Sequence, residues 1–180
     1  MKTIADASPL IYFSKINSLD LLPQIFEPLG VLPAVYRETV MIGLARGFPD
    51  AERIKTAFQQ GWLLHLELEN QETALAKQIQ DEHFIGAGEA ETIACCVHRG
   101  ITALIHDRKA RNAAAHLGVQ TWQPADALLL AFIRHLLSWD QFPQKHREVA
   151  LVTRMPLPVL MEREALASEI ATQLGLRGEL

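Results

Sequence analysis

An α/β fold with a mainly parallel sheet is the architecture this sequence predicts. Two observations carry it. Short apolar, β-capable runs alternate with helix-periodic segments from the first residues to about residue 120, and carboxylates stand at the ends of the first and the most strand-like of those runs. A third observation sets the size: 180 residues, 49% of them hydrophobic, bury one sizeable core.

The elements follow in order. The run "TIAD" reads as a strand that ends on Asp6, and "PLIYFSKI" returns to helical period. In "SLDLLPQIF", Ser18 is a candidate cap, with Leu19, Leu22 and Phe26 at helical spacing. "GVLP" is a short buried strand, and Pro33 starts the helix "AVYRETVMIGLARG", with Val35, Thr39, Ile42 and Arg46 along one side and Glu38 on another. "PDAERIKTAFQQG" is a further helix that stops at Gly61. "WLLHLELE" alternates like a strand with Leu64, Leu66 and Leu68 on one face, and "NQETALAKQIQDEHF" and "GAGEAETIACCVHRG" are helices. "ITALIHD" is the most strand-like run, "RKARNAAAHLG" is an alanine-rich helix, and "VQTW" closes the pattern.

From "PADALLLAFIRHLLSW" onwards the chain reads as helix with proline breaks at Pro143, Pro156 and Pro158. The expected organisation is a main domain over 1–140 and a helical C-terminal extension over 141–180.

Composition excludes several classes. A net charge of −4 leaves no global basic face, so contact with nucleic acid is expected only through a local patch. No apolar run is long enough for a membrane helix, and "MKTIAD" puts charge where a leader has its apolar stretch. Cys95 and Cys96 are adjacent on a helix, a poor geometry for a disulfide, which suits a reducing cytoplasm. There is no internal repeat and no glycine-rich phosphate loop.

In an open α/β sheet, ligands bind at the carboxyl ends of the strands. Asp6 and Asp107 end strands, Glu89 lies in the first turn of the helix feeding the second of these, and Glu38 sits on the helix after the "GVLP" strand. Four carboxylates at one rim repel when empty, and a hard divalent cation such as Mg²⁺ or Mn²⁺ resolves the conflict. The chemistry of such a site is metal-assisted phosphodiester hydrolysis. Each residue also has an ordinary reading: Asp6, Ser8 and Asp107 as helix caps, Glu89 as a partner of the helix dipole, Glu38 as a solvated side chain.

The blocks "ADASPLIYFSKI", "GVLPAVYRETV", "GAGEAETIACCVHRG" and "ALIHDRKARNAAAHLGV" resemble PIN-domain proteins, in particular a prokaryotic branch close to the VapC toxins of toxin–antitoxin pairs. The resemblance covers residues 1 to about 120 in the right order. It implies a three-layer α/β/α fold, an endoribonuclease, Asp6, Glu38, Glu89 and Asp107 as metal ligands, an antitoxin partner and a homodimer. Glu91 competes with Glu89 for the third position. Lys109 and Arg111 are candidate contacts to the phosphate backbone, and Ser8 is a candidate substrate contact, each against a plain structural role. Where many relatives carry two acids at the end of the fourth strand, this chain has "HD", and His106 replaces the first. An imidazole there favours Mn²⁺, Zn²⁺ or Ni²⁺. It also makes a non-catalytic module binding RNA or protein a rival reading, with a DNA-directed nuclease as a third.

Overall fold

The structure is a computed structural model and describes residues 2–176. Strands β1 (Thr3–Ala5), β2 (Leu29–Val31), β3 (Leu63–His65), β4 (Thr102–Leu104) and β5 (Thr121–Trp122) form one five-stranded sheet in the order β3-β2-β1-β4-β5. Every pairing is parallel, with Ile4 beside both Gly30 and Ala103. The two strands nearest the middle on one side, β1 and β2, are buried at every residue, as a sheet covered on both faces requires.

Helices make the crossovers. Helices α1 (Ala7–Lys15) and α2 (Leu21–Ile25) lie between β1 and β2. Next come α3 (Pro33–Tyr36), a π-helical segment Arg37–Ile42, α4 (Gly43–Ala45) and α5 (Pro49–Gln59). Helices α6 (Asn70–His83) and α7 (Ala87–Arg99) lead into β4, and α8 (Arg108–His116) leads into β5. Ile4, Ala103 and Ile105 pack with Ile79, Ile93, Ala94 and Ala113 from α6, α7 and α8 in one cluster. Alternation along a strand sends Thr3, Ala5 and Leu104 to the opposite face, and α1, α2 and α5 supply the buried Leu10, Phe13, Leu22, Ile25 and Ile54. The result is the expected three-layer α/β/α arrangement, with a sheet that is parallel throughout.

Several local expectations are corrected. Ser18 does not cap a helix: its hydroxyl donates to the Ile16 carbonyl, and Asp20 occupies the N-cap position of α2. The helix from Pro33 is not regular, because the π-helical segment inserts an extra residue per turn and rotates Ile42 outward to 40% exposure. In β3 the buried residue is Leu63, while Leu64 is 40% exposed. The edge position of β3 lets that face meet solvent, and Trp62 beside it is 42% exposed.

The chain divides into two compact units, Met1–Gln123 and Pro124–Leu180. The second holds α9 (Pro124–Ile133), α10 (Gln141–Thr153) and α11 (Leu157–Gln173). The helix expected over 124–139 stops early: His135 takes a positive φ of 59°, and the Leu136 amide closes back on the Ala131 carbonyl at 2.8 Å. Among the described residues no helix is long and apolar enough to cross a membrane.

Candidate active site at the carboxyl rim of the sheet

The strand order reverses direction between β1 and β4, and the crevice above the carboxyl ends of that pair is where open α/β sheets bind ligands. Asp6 lies there. Its amide donates to the Leu104 carbonyl at 3.0 Å, which ties it to β4, and its residue is 3% exposed. The backbone has the extended conformation of an N-cap, yet the side chain makes no capping hydrogen bond to α1. Burial pushes its carboxyl pKa up to about 7, and the charges of Glu89 and Glu38 push in the same direction. The amides of Ala7 and Ser8 offset part of this.

Glu89 stands in the first turn of α7, half-buried, where its Oε2 accepts the Gly86 amide at 2.7 Å. Its pKa is raised by burial first, then by Asp107 and Glu38. Asp6, Glu38, Glu89 and Asp107 are thereby linked in one electrostatic set with Glu89 at its hub. Glu91, two positions on, faces elsewhere. Its Oε2 accepts the Ala34 amide at 2.9 Å and ties α7 to the first turn of α3.

The close approach of α7 depends on Gly88. A Cβ at that position would lie 2.9 Å from Val35 Cγ2 and 3.6 Å from Asp6 Oδ1. In the sequence its signal is the glycine directly before the first acid of "GAGEAE", in the first turn of the helix.

Asp107 is exposed at the N-cap of α8, and its Oδ1 accepts the Ala110 amide at 2.9 Å. The ordinary reading of Asp107 is therefore realised with one of its oxygens. Arg111 reaches back to the His106 carbonyl, Lys109 is exposed on the first turn of α8, and Ser8 is half-buried on the first turn of α1. The His106 ring packs edge-on against Tyr12 with centroids 5.1 Å apart. Burial, then the Arg111 charge, lowers its pKa, so the imidazole is neutral at pH 7.

Among the described residues no three His, Cys, Asp or Glu side chains stand close enough together to hold a metal ion. The carboxylates feel one another without being drawn to ligand distance. The donor set is nevertheless suited to a cation: hard oxygens, one of them buried with its carboxyl pushed up to about 7, a shift that a bound cation would reverse by favouring the ionised form. The DUF3368 family model, described as a PIN domain, matches residues 2–138. The chain belongs to the PIN-domain family. PIN domains are nuclease-type domains that generally use divalent metal ions and bind nucleic acid. A search of curated proteins gave no match.

Proposed function

We propose that the chain is a divalent-metal-dependent endoribonuclease whose working unit is the PIN-like region over residues 1–140. The observation that carries this reading is the buried Asp6 at the sheet's switch point, its carboxyl pushed up to about 7 by burial first and then by the charges of Glu89 and Glu38. Burial and two neighbouring carboxylates oppose a negative charge at Asp6 more than the Ala7 and Ser8 amides favour it. A cation relieves that opposition.

Asp6, Glu38, Glu89 and Asp107 would hold Mg²⁺ or Mn²⁺. The ion, when bound, supplies charge neutralisation at the phosphate and alignment of water. The chain's own part is positional: Asp6 is anchored through its amide to β4, Glu89 through Gly86, and Asp107 through the cap of α8. Lys109 and Ser8 flank the rim and are the proposed contacts to substrate phosphate. Arg111 holds the His106 carbonyl and shapes the β4–α8 turn. The biological setting proposed is the toxin of an antitoxin-controlled pair, close to the VapC branch and acting in the cytoplasm.

The test is cleavage of single-stranded RNA with and without Mg²⁺ or Mn²⁺. The wild type should cut only with the ion, and Asp107→Asn should lower the rate by about a hundredfold or more, since a lost ligand misplaces the reacting groups. A second reading, a non-catalytic module binding RNA or protein, is favoured by His106 in an acid's position and by carboxylates that stop short of ligand distance. A wild type that binds RNA and cleaves neither RNA nor DNA with Mg²⁺, Mn²⁺, Zn²⁺ or Ni²⁺ would establish it.

A further inference from the structure

Beside the acidic rim lies a cluster of three rings that the chemistry above does not use. Tyr36, the last residue of α3, meets Phe58 of α5 edge-on with centroids 5.0 Å apart, and meets His65, the last residue of β3, at 5.0 Å and 83°. Phe58 and His65 lie 6.5 Å apart, closing the triangle. Tyr36 and Phe58 are only half-buried, and the His65 side chain is 39% exposed, so the cluster is not core.

Its place in the sheet gives it a direction. Val31 pairs with His65, and Ile4 pairs with Gly30, so His65 sits level with the end of β1 and two strands along from it. At the usual spacing of neighbouring strands, that is roughly 10 Å from the backbone at Asp6, on the same carboxyl rim. Tyr36 immediately precedes the π-helical segment that carries Glu38, and the two side chains, two positions apart, diverge: Glu38 toward the acids, Tyr36 toward β3. Arg37 between them is exposed and cationic, the complement of a phosphate.

We propose that Tyr36, steadied by Phe58 and His65, is a stacking platform for an unpaired nucleobase of a single strand threaded along the rim, with Arg37 against its backbone. The inference rests on the nuclease reading of the acidic site and adds to it the residues that would hold an unpaired base of the single strand. Only an unpaired base presents a free π-face, so the platform selects single strands over duplexes. RNA and single-stranded DNA share this chemistry.

The test is fluorescence anisotropy with labelled eight-nucleotide RNA and DNA strands, their duplexes, and a strand whose bases are replaced by abasic sites, with and without Mg²⁺, read before cleavage. Tyr36→Leu should weaken binding of the single strand by about 5- to 150-fold, the range set by one lost base stack, while Tyr36→Phe stays close to wild type. The abasic strand should bind wild type and Tyr36→Leu alike, a readout that lost packing alone would not produce. His65→Leu, at an exposed position, serves as the second variant should Tyr36→Leu melt early, and should weaken the single strand several-fold. Wild-type binding that is unchanged in both Tyr36→Leu and His65→Leu overturns the platform and leaves the nuclease reading standing. A wild type that binds no strand of either kind overturns both. Tyr36-dependent binding of DNA but not RNA upholds the platform and moves the substrate to DNA.

Discussion

At Asp6, folding moves a carboxylate from water into a site where its pKa rises from 3.8 to about 7. The folded state therefore holds the proton more tightly than the unfolded one. Stability from the neutral carboxyl is complete below about pH 4, drains away as pH rises, and is gone above about pH 7. A shift of this size corresponds to roughly 4 kcal/mol. The expected outcome is a metal-free melting temperature that falls between pH 5 and 8 in the wild type, with a smaller fall in Asp6→Asn, whose melting temperature at pH 8 is higher by several degrees. Differential scanning calorimetry checks this; a wild type that grows steadily more stable over that range contradicts it. Gly88 is the other residue with a sharp consequence. Gly88→Val forces branched carbons into the space of Val35 and Asp6, and it should cost about 1–3 kcal/mol and lower nuclease rate more than a surface change on α7 such as Val97→Ala. Urea denaturation alongside the cleavage assay separates the two effects.

At the scale of elements, α6 and α7 are joined by a buried ion pair far from the acidic rim. Glu72 accepts two hydrogen bonds from Arg99, at 2.6 and 2.7 Å, and one from the Glu69 amide at 2.8 Å, while Arg99 also donates to the Glu67 carbonyl. The Arg99 hydrogen bonds hold the Glu72 carboxyl below its usual range. The sign is opposite to that at Asp6: this stability is present above the unfolded pKa of about 4.5 and is lost as pH falls through the lower folded value. Glu72→Ala should cost about 3 kcal/mol, the low end for a broken buried pair, because Arg99 keeps 28% of its side chain in solvent. Chemical denaturation at pH 7 measures it, and the difference from wild type should shrink toward pH 3. The π-helical segment works at the same scale. It turns the helix after Tyr36, and Ile42 at its end is left 40% exposed.

For the whole molecule, a ligand that binds only the folded state adds RT ln(1 + [L]/Kd) to stability, about 2.7 kcal/mol at a hundred times Kd. Mg²⁺ or Mn²⁺ should therefore raise the melting temperature of the wild type and not that of Asp6→Asn. An equal response in both would remove the acidic site from the metal. In the second unit, α11 buries only Ala167 and Ala171 among its described residues, while Leu157, Met161 and Leu166 are exposed. That surface is the one expected to meet a second copy if the homodimer implied by the family resemblance forms. Light scattering should give about twice the chain mass of 20.1 kDa at micromolar concentration, and Met161→Glu should return it to one.

The order of strands and helices, the all but complete alternation, and the placing of Asp6 and Asp107 at strand ends were legible in the sequence because they rest on local periodicity and on the chain's few prolines and glycines. The sequence also placed Asp6 and Asp107 on one rim, since a parallel sheet puts the ends of its strands together; that Glu38 and Glu89 couple electrostatically to them is a finding of the structure. What only the tertiary structure decided were distinctions between neighbours and between oxygens. Glu89 couples to Asp6 while Glu91 clamps Ala34, because two positions on a helix differ by half a turn and the packing of α3 decides which half is inside. Asp6 is buried and makes no capping hydrogen bond of the kind by which Asp107 holds the Ala110 amide in solvent, although both are an aspartate between a strand and a helix. Burial is the physical reason: it is a property of what stands over a residue, here Gly88 and the first turn of α7, and no local pattern encodes the approach of an element more than eighty residues away.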